Sequence, residues 1–333
     1  MSRPMSWVEE VVSVQSIENA DNIVEYTVGG WNVVDRISRY SPGELVVYLS
    51  IDSWVPTEIA PFLSKGEQPR EYNSVPGERL RTVRLRKTLS QGLILPISIV
   101  DKQYRVLGQV LDEVLNIQKY EPPIPAQLRG ISRGNFPVGV PKTDQERIQN
   151  LSKKFNSFRG IEFEVTEKLH GSSCTWYLDH DNTFSVCSRN INLKANPDNS
   201  FWSVALRYNV ESVMKDLGLQ GYAIQGELVG PGIQKNMYAM QSLDVYVFDV
   251  YNVKTGKYLP ADERIKLVSE LGLNHVPVYE SCLFEFTDIP SVLLYADGRS
   301  ALNNVPREGL VFKARDGSFS FKAVSNKWLL KYD

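Results

Sequence analysis

The sequence contains few cysteines and histidines, and it has no long apolar run. Its three cysteines, Cys174, Cys187 and Cys282, are scattered along 333 residues, which argues against a disulfide framework and favours a reducing, cytoplasmic environment. The three histidines form no ligand-like pair with one another or with a cysteine, so a zinc site is not expected. No apolar stretch approaches the roughly 18 residues of a membrane helix, and the N-terminal segment lacks a signal peptide's apolar core. We therefore expect no membrane partner.

The chain also lacks a strong excess of one charge. Its net charge is −2, with 42% hydrophobic and 23% charged residues, so a nucleic-acid partner would need a local basic patch. The segment "ERLRTVRLRK", residues 78–87, is such a patch. Strand alternation predicts Arg84 and Arg86 on one face and Val83 and Leu85 on the other. We predict that the two arginines bind nucleic-acid phosphates; a solvated strand edge is the alternative.

Three regions differ in their patterning. Residues 1–105 contain short β-type runs separated by turn residues, which favours a small OB-like barrel without excluding other small barrels. Residues 106–141 hold the proline-rich stretches "YEPPIPAQLRG" and "NFPVGVPK" and are predicted to be a linker. Residues 142–333 mix strands and helices. The predicted fold is therefore α+β, with an N-terminal OB-like β-barrel followed by a domain of mixed antiparallel sheet.

Helix signals in the third region are local. Thr143 and Glu146 in "KTDQERIQNLSKKF" have the spacing of a capping box, which predicts a helix start. Further helices are predicted over residues 199–217, before Gly218, and over 261–271, before Gly272.

The segment "FKARDGSFSFKA" predicts a β-hairpin with a two-residue turn at Asp316 and Gly317. In that register Lys313 faces Ser320 and Val311 faces Lys322, so the two lysines are diagonal neighbours on one sheet face. Two like charges there are unfavourable unless an anion lies over them. The hairpin thus indicates a phosphate site, although both lysines could instead extend into water.

A lysine in a glycine turn opens the series of chemical motifs. Lys168 lies in "EKLHGSS", at the end of an apolar strand, where a lone lysine is usually a solvated charge. Five motifs follow in order: "SRN" (188–190), "QGELVG" (225–230), "VYVFDV" (245–250), "EGLVFK" (308–313) and "SFKAVSNKWLLK" (320–331). Together they resemble the covalent nucleotidyltransferases: RNA ligases, DNA ligases and mRNA capping enzymes. Their nucleophile motif is Lys-x-Asp-Gly, and here His170 occupies the aspartate position.

The chain most resembles the ATP-dependent RNA ligases of the Deinococcus–Naegleria type, which carry an OB domain before the nucleotidyltransferase domain. The resemblance covers nearly the whole chain and includes "ENADNIVEYTVGGWNVV", "LSQGLILP" and "PKTDQERIQN". It implies an enzyme that joins RNA 3′-hydroxyl and 5′-phosphate ends through lysine–AMP and RNA–adenylate intermediates. It also implies ATP as AMP donor, Mg²⁺ or Mn²⁺ as metal, and RNA, including nicked duplexes, as partner. We expect a monomer.

The resemblance also assigns the site residues. Lys168 is the expected nucleophile, Glu227 and Glu308 the metal-binding carboxylates, and Lys313 and Lys322 the catalytic cations. The residues expected to bind the nucleotide are Glu167, Arg189, Phe248, Arg147 and Lys327. Phe248 would stack on adenine and Arg147 would reach the β- and γ-phosphates. If the strand of Lys322 continued, Lys327 would point to its opposite face, so we favour Lys322 as the motif lysine.

The chemistry fits these residue types. A lysine amine is almost wholly protonated at neutral pH, and cations nearby favour loss of its proton. The same cations stabilise a transferring phosphoryl group.

Alternatives remain open at this stage. Phe248 could be core, Arg189 a surface ion pair and His170 a turn residue. The chain could be a DNA ligase or a capping-type guanylyltransferase. A non-catalytic RNA-binding protein on a ligase scaffold is disfavoured, because Lys168, Glu227 and Glu308 are all retained.

Overall fold

A computed structural model describes residues 3–121 and 130–332, which form two compact units. The first contains residues 3–121, 149–153 and 332, and the second contains residues 130–148 and 154–331. Strands dominate the first unit, and strands are combined with helices in the second. The predicted α+β fold is confirmed. Among the described residues, no helix is both long and apolar enough to cross a membrane.

The first unit consists of two larger antiparallel sheets, a separate two-stranded hairpin and short 3₁₀ turns. Its strands are β1 Ser6–Ser16, β2 Ile23–Val28, β3 Trp31–Arg36, β4 Leu45–Leu49, β5 Ser53–Pro56, β6 Arg70–Tyr72, β7 Val75–Arg79, β8 Val83–Leu85, β9 Thr88–Ser90, β10 Leu93–Pro96 and β11 Gln118–Lys119. One sheet has the order β10-β4-β1-β2-β3 and the other β11-β5-β7-β6, while β8 and β9 form a separate hairpin. The long strand β1 pairs with β4 through its first half and with β2 through its second, and a bulge at Val11–Ser13 divides them. Such a bulge bends a strand.

Part of the predicted linker belongs to this unit. Leu111, Leu115 and Ile117 are buried in its core. The Asp112 carboxylate accepts hydrogen bonds from the backbone amides of Met5 and Ser6 at 2.6–3.1 Å. The prediction of a linker over residues 106–141 is therefore wrong for residues 106–121, since buried side chains and sheet pairing hold them. Residues 130–141 belong to the second unit, and residues 122–129 lie outside the described part of the chain.

The second unit contains two larger sheets. Its strands are β12 Ser132–Asn135, β13 Glu146–Arg147, β14 Glu162–Lys168, β15 Ser172–Leu178, β16 Phe184–Cys187, β17 Ile191–Leu193, β18 Tyr222–Val229, β19 Asp244–Asn252, β20 Lys257–Tyr258, β21 Asn274–His275, β22 Val278–Leu283, β23 Gly309–Ala314 and β24 Ser320–Val324. The larger sheet has the order β12-β17-β16-β15-β18-β19-β20, with β21 also paired to β19, and the smaller has the order β13-β24-β23-β14-β22.

The helices of this unit are α1 Ser200–Arg207, α2 Val210–Asp216, α3 Ala261–Glu270, α4 Ile289–Ala296 and α5 Asn326–Tyr332. The predicted helix over residues 199–217 is two helices, because Asn209 has a left-handed φ of 49°. Asn199 caps α1 through its side chain. The predicted helix over residues 261–271 is confirmed as α3, and Gly218 and Gly272 have the expected positive φ of 68° and 66°.

The predicted capping box is wrong. The Thr143 hydroxyl lies 2.6 Å from the Ser173 hydroxyl, so it does not cap a helix. Glu146 and Arg147 form β13 and pair in parallel with Phe321 and Lys322 of β24. A 3₁₀ helix, Ile148–Phe158, begins only afterwards. Long-range strand pairing overrides the local helix signal here.

Each sheet of this unit has its own apolar core. Residues of the larger sheet pack with α1 and α2 around Trp176 and Met214. The smaller sheet packs phenylalanine rings together, with centroids 4.9–6.2 Å apart among Phe163, Phe284, Phe312 and Phe321. Burial of such rings fixes β14, β23 and β24, the strands that carry Lys168, Lys313 and Lys322.

Candidate active site

The turn after β14 presents Lys168 at the end of a buried strand. Its side chain is 24% exposed, while Leu169 is buried. Gly171 is required because a Cβ there would lie 2.3 Å from the Leu228 carbonyl oxygen. The glycine lets β15 start directly against β18, where Ser173 pairs with Glu227. The sequence "KLHGSS" therefore joins two sheets and leaves its lysine accessible.

Lys168 forms an ion pair with Glu308. The Lys168 Nζ lies 2.7 Å from the Glu308 Oε1, and the His170 Nδ1 lies 3.5 Å from the Glu308 Oε2. The His170 backbone amide donates a hydrogen bond to the buried Tyr238 hydroxyl at 2.7 Å. Burial alone would raise the pKa of Glu308, but Lys168 and His170 outweigh it and bring the pKa to about 2. Glu308 is therefore an anion held by two residues of one turn.

Glu227 lies on β18 beside this pair. Burial raises the pKa of Glu227 to about 7, Lys168 opposes the shift, and the Glu308 carboxylate adds to it. A nearby second carboxylate and a poorly solvated environment both favour the neutral acid. A cation placed between the two carboxylates would reverse that effect.

The two carboxylates fit a divalent ion that keeps part of its water shell. In the described residues, no three His, Cys, Asp or Glu side chains form a ready metal cage. Mg²⁺ commonly uses only one or two carboxylates, together with waters and substrate phosphates. The donor set of Glu227 and Glu308 therefore suits Mg²⁺ or Mn²⁺ and not an all-protein site.

The predicted hairpin register is confirmed. Val311 pairs with Lys322, and Lys313 pairs with Ser320, so the two lysines share one face. The predicted two-residue turn is wrong, because the Ala314 carbonyl accepts from the Gly317 amide and the Ala314 amide donates to Phe319. The Asp316 carboxylate accepts from the amide and hydroxyl of Ser318 at 3.0 and 2.6 Å. These two bonds stabilise a four-residue loop, residues 315–318, which is centred on Asp316 and Gly317 like the predicted turn. The register of the two strands is therefore the predicted one.

Each of these lysines has its own carboxylate partner. The Lys313 Nζ donates to the Asp249 Oδ1 at 2.6 Å and to the Phe248 carbonyl. The Lys322 Nζ donates to the Asp144 Oδ1 at 2.9 Å. Burial lowers the pKa of each lysine to about 8, although its carboxylate partner opposes the shift.

The arginines predicted to bind the nucleotide lie close to Lys322. Arg147 is opposite Lys322 in the parallel pairing of β13 and β24, and its charge contributes to the lowered pKa of Lys322. The Arg189 guanidinium lies 3.3 Å from the Asp144 Oδ2, with 55% of its side chain exposed. The structure thus brings Arg147 next to Lys322 and Arg189 next to Asp144, the partner of Lys322.

Phe248 and Glu167 occupy different environments. Phe248 is half-buried, and the Lys313 Nζ lies 5.6 Å from its ring centroid, so the ring is not closed into the core. Glu167 is buried, and its Oε2 accepts hydrogen bonds from the Tyr279 hydroxyl at 2.8 Å and the Ala301 amide at 2.9 Å. Its Oε1 is buried and has no protein partner in the described part of the chain.

Lys327 is placed differently from the sequence expectation. The strand does not continue past Val324, and Lys327 lies in α5 with 74% of its side chain exposed. Its Nζ lies 3.4 Å from Asp297. No described contact supports the nucleotide-binding role that the sequence assigns to it.

The basic segment of the first unit forms a hairpin. Arg84 lies on β8, but Arg86 and Lys87 form the turn, with left-handed φ of 49° and 70°. The prediction that Arg84 and Arg86 share a strand face is wrong, because β8 ends at Leu85. Val83 and Leu85 are 47% and 39% exposed, so β8 has no buried face. No carboxylate in the described residues forms an ion pair with Arg84 or Arg86.

Sequence reasoning missed three residues that contact the site: Asp144, Asp249 and Tyr238. Asp249 directly follows Phe248 in "VYVFDV", and Asp144 lies in the family-like stretch "PKTDQERIQN". Both were within quoted motifs, yet nothing in the sequence indicated that each would pair with one hairpin lysine. Tyr238 lies outside every motif, so no signal marked it.

Comparison with known proteins agrees with this geometry. A family model for RNA ligase matches residues 161–329, and an OB-fold domain model matches residues 5–97, which confirms the OB-like first unit. A solved Naegleria gruberi RNA ligase mutant with AMP and Mn is 38% identical, with a TM-score of 0.90 over 99% of both chains. The same ligase with pyrophosphate matches at 38% identity and a TM-score of 0.89 over 99% of both chains. A further mutant, with ATP and Mn, matches at 38% identity and a TM-score of 0.89 over 98% of both. No curated protein matches the chain.

Proposed function

We propose roles for individual residues from one premise: this chain belongs to the RNA ligase family. It is an ATP-dependent RNA ligase of the Deinococcus–Naegleria type that uses a divalent metal. One observation carries the assignment of roles. Lys168, Glu227, Glu308 and Lys322 come from four separate segments and influence one another electrostatically within a single site.

Lys168 is the proposed nucleophile. Its amine, after losing a proton, attacks the α-phosphorus of ATP; the bond to the β-phosphate oxygen breaks, and pyrophosphate leaves with the electron pair. The RNA 5′-phosphate then attacks the phosphorus of lysine–AMP, and the lysine nitrogen leaves and regains a proton. Finally the RNA 3′-hydroxyl displaces AMP and forms the phosphodiester.

Glu227 and Glu308 are the proposed metal-binding carboxylates. A divalent ion held there would neutralise charge on the phosphate oxygens and would favour the ionised form of Glu227. Glu308 also forms an ion pair with Lys168 and lies 3.5 Å from the His170 Nδ1, so the proposed metal-binding carboxylate directly contacts the turn that carries the nucleophile.

The nucleotide is proposed to lie between the two sheets of the second unit. Phe248 offers a partly exposed ring for adenine stacking, which typically contributes about 1–3 kcal/mol per base. The buried Oε1 of Glu167 is suited to accept a hydrogen bond from an adenine amino group. Lys313, Lys322, Arg147 and Arg189 supply positive charge for the phosphates.

The first unit is proposed to bind the RNA, including at nicks in a duplex. The β8–β9 hairpin combines Arg84 and Arg86 with exposed Val83 and Leu85. Cations without carboxylate partners contribute sequence-independent affinity for phosphates. The proposed division of the chain follows the two compact units, with all AMP-transfer residues in the second.

We also propose a monomer in a reducing compartment. Every proposed catalytic residue comes from one chain, and all three cysteines are free thiols.

The decisive experiment has two stages. Incubation with α-labelled ATP, and separately with GTP, should give a covalent protein label with ATP only; preferential labelling with GTP would indicate a capping-type activity. Sealing is then measured on matched nicked duplexes whose ends are all RNA, all DNA or mixed. Efficient sealing of the RNA ends supports the proposal, whereas preference for all-DNA ends would contradict it.

A further inference from the structure

Five consecutive residues form a strap across the proposed phosphate side of the site. The Pro141 carbonyl accepts from the Gln225 side-chain Nε2 at 2.8 Å, the Lys142 Nζ donates to the Asn190 Oδ1 at 3.0 Å, and the Thr143 and Ser173 hydroxyls lie 2.6 Å apart. Asp144 contacts Lys322 and Arg189, and Gln145 donates to Asp249 at 3.5 Å. Together the five strap residues therefore touch five of the motifs quoted from the sequence.

Asp144 is the strap's only carboxylate, and it bridges two cations. Its Oδ1 accepts from Lys322 at 2.9 Å and its Oδ2 lies 3.3 Å from Arg189. Two oxygens of one anion facing a lysine and an arginine is the arrangement that two oxygens of a phosphate would adopt. The Asp144 carboxylate thus lies between two cations that are proposed to bind the nucleotide phosphates.

The other counter-ion in the site differs in its accessibility. Asp249 pairs with Lys313 where both side chains are less than a tenth exposed, so separating them would leave two buried charges. Asp144 is 31% exposed, so its carboxylate could be hydrated once a phosphate oxygen took its place beside Lys322. Its neighbours Thr143 and Gln145 would keep the strap attached when that happens.

We propose that Asp144 is a displaceable counter-ion that competes with the nucleotide phosphates for Lys322 and Arg189. It holds both cations in place before ATP binds, leaves when a phosphate arrives, and returns when the products depart. Asp144 thereby acts as a positioning residue that limits affinity for phosphate and favours product release. This inference rests on the proposed roles of Lys322 and Arg189.

The test compares Asp144→Asn with wild type in single-turnover labelling across ATP concentrations. Removal of the competing charge should lower the ATP concentration for half-maximal labelling on the order of fivefold, without raising the maximal rate. Inorganic sulfate, an anion that cannot react, should inhibit the variant at a correspondingly lower concentration. Asp144→Glu should restore wild-type values because it keeps the charge.

Two controls make the result specific. Asp198→Asn removes one negative charge from an exposed residue whose described contact is made by its backbone amide with Asn196. It should change neither the ATP concentration for half-maximal labelling nor the inhibitory concentration of sulfate. Wild-type labelling in the same assay tests the ligase function itself. If wild type labels normally but Asp144→Asn shows unchanged or weaker responses to ATP and sulfate, the competition is refuted while the enzyme function stands. Loss of folding in Asp144→Asn, seen by thermal melting, would also contradict it, because the strap has independent anchors.

Discussion

The Lys168 Nζ and the Glu308 Oε1 are 2.7 Å apart although their residues are separated by 140 positions in the chain. The Glu308 carboxylate therefore contacts the proposed nucleophile directly. The same carboxylate is one of the two proposed to bind the metal ion. One side chain would thus serve both the nucleophile and the metal.

Lys168→Ala should abolish covalent labelling with ATP and also overall ligation, because no other group would attack the phosphorus. Lys168→Arg should fail equally, since a guanidinium remains protonated. Gel autoradiography after incubation with α-labelled ATP measures the labelling of both variants, and a sealing assay on nicked RNA measures ligation. Label retained on either purified variant would mean that a different residue is the nucleophile.

Glu227→Gln should stabilise the protein while it inactivates the enzyme. The pKa of Glu227 is about 7, above its usual range, so the folded protein gives up this proton less readily than the unfolded chain. In wild type the free energy of unfolding therefore falls as pH rises from about 4.5 to about 7, and it stays lower above pH 7. Glutamine has no proton to lose, so the variant does not lose this stability. We expect a gain of about 2 kcal/mol at pH 8 and almost none at pH 4.

Thermal melts in EDTA at the two pH values measure this difference, and labelling with Mg²⁺ measures the loss of activity. An equal gain at both pH values would exclude the proton linkage. Wild-type labelling that persists in EDTA would remove the metal role from the carboxylates.

Lys322→Ala should impair labelling far more than Lys327→Ala, by a factor on the order of 100 against less than about threefold. Lys322 pairs with Asp144 beside Arg147, whereas Lys327 is exposed and pairs with Asp297. Initial rates of labelling at saturating ATP provide the comparison. The reverse order would place the last catalytic lysine on α5.

The ATP dependence of labelling should change with pH through Lys322. Burial lowers the pKa of Lys322 to about 8, so the cation is present below that pH and is lost above it. The KM for ATP should therefore rise above about pH 8 in wild type. In Lys322→Arg it should stay flat over the same range, because arginine remains charged; parallel curves for the two proteins would count against Lys322.

Arg84→Ala combined with Arg86→Ala should leave ATP labelling nearly unchanged and weaken sealing of nicked RNA. Loss of about two phosphate contacts should also reduce the slope of log affinity against log salt concentration by roughly two. Both activities are measured on one preparation across a salt series. The matched control is Lys215→Ala with Lys266→Ala, which removes two cations from α2 and α3. A similar loss of sealing in the control would mean that the effect comes from the change in net charge and not from Arg84 and Arg86.

The site residues were assigned by the resemblance of separate motifs to a family, and part of their geometry could be predicted from local patterns. The register that places Lys313 and Lys322 on one face follows from strand alternation around Asp316 and Gly317, and it survived an error in the turn type. The turn at Lys168 was visible from Gly171, whose neighbouring strand leaves no space for a side chain.

The errors occurred where distant segments decide the structure. Thr143 and Glu146 have a capping-box spacing, but Ser173 and β24 take up their hydrogen-bonding groups. Residues 106–121 contain turn-forming residues, yet Leu111 and Asp112 are bound into the first unit. The pairing of Asp144 with Lys322 joins residues 178 positions apart, and no local pattern encodes such a partner.

The distance in sequence between β13 and β24 also affects how the enzyme folds during its synthesis. Strand β13 has its parallel partner only in β24, so the first strand of the smaller sheet must wait for the last one to be synthesised. Contacts between such distant segments form late and slowly. A nascent chain that stops before Lys322 would contain the proposed nucleophile and both proposed metal-binding carboxylates, yet β13 would have no partner strand and a proposed phosphate-binding lysine would be missing. We therefore expect such a truncated chain to react poorly with ATP.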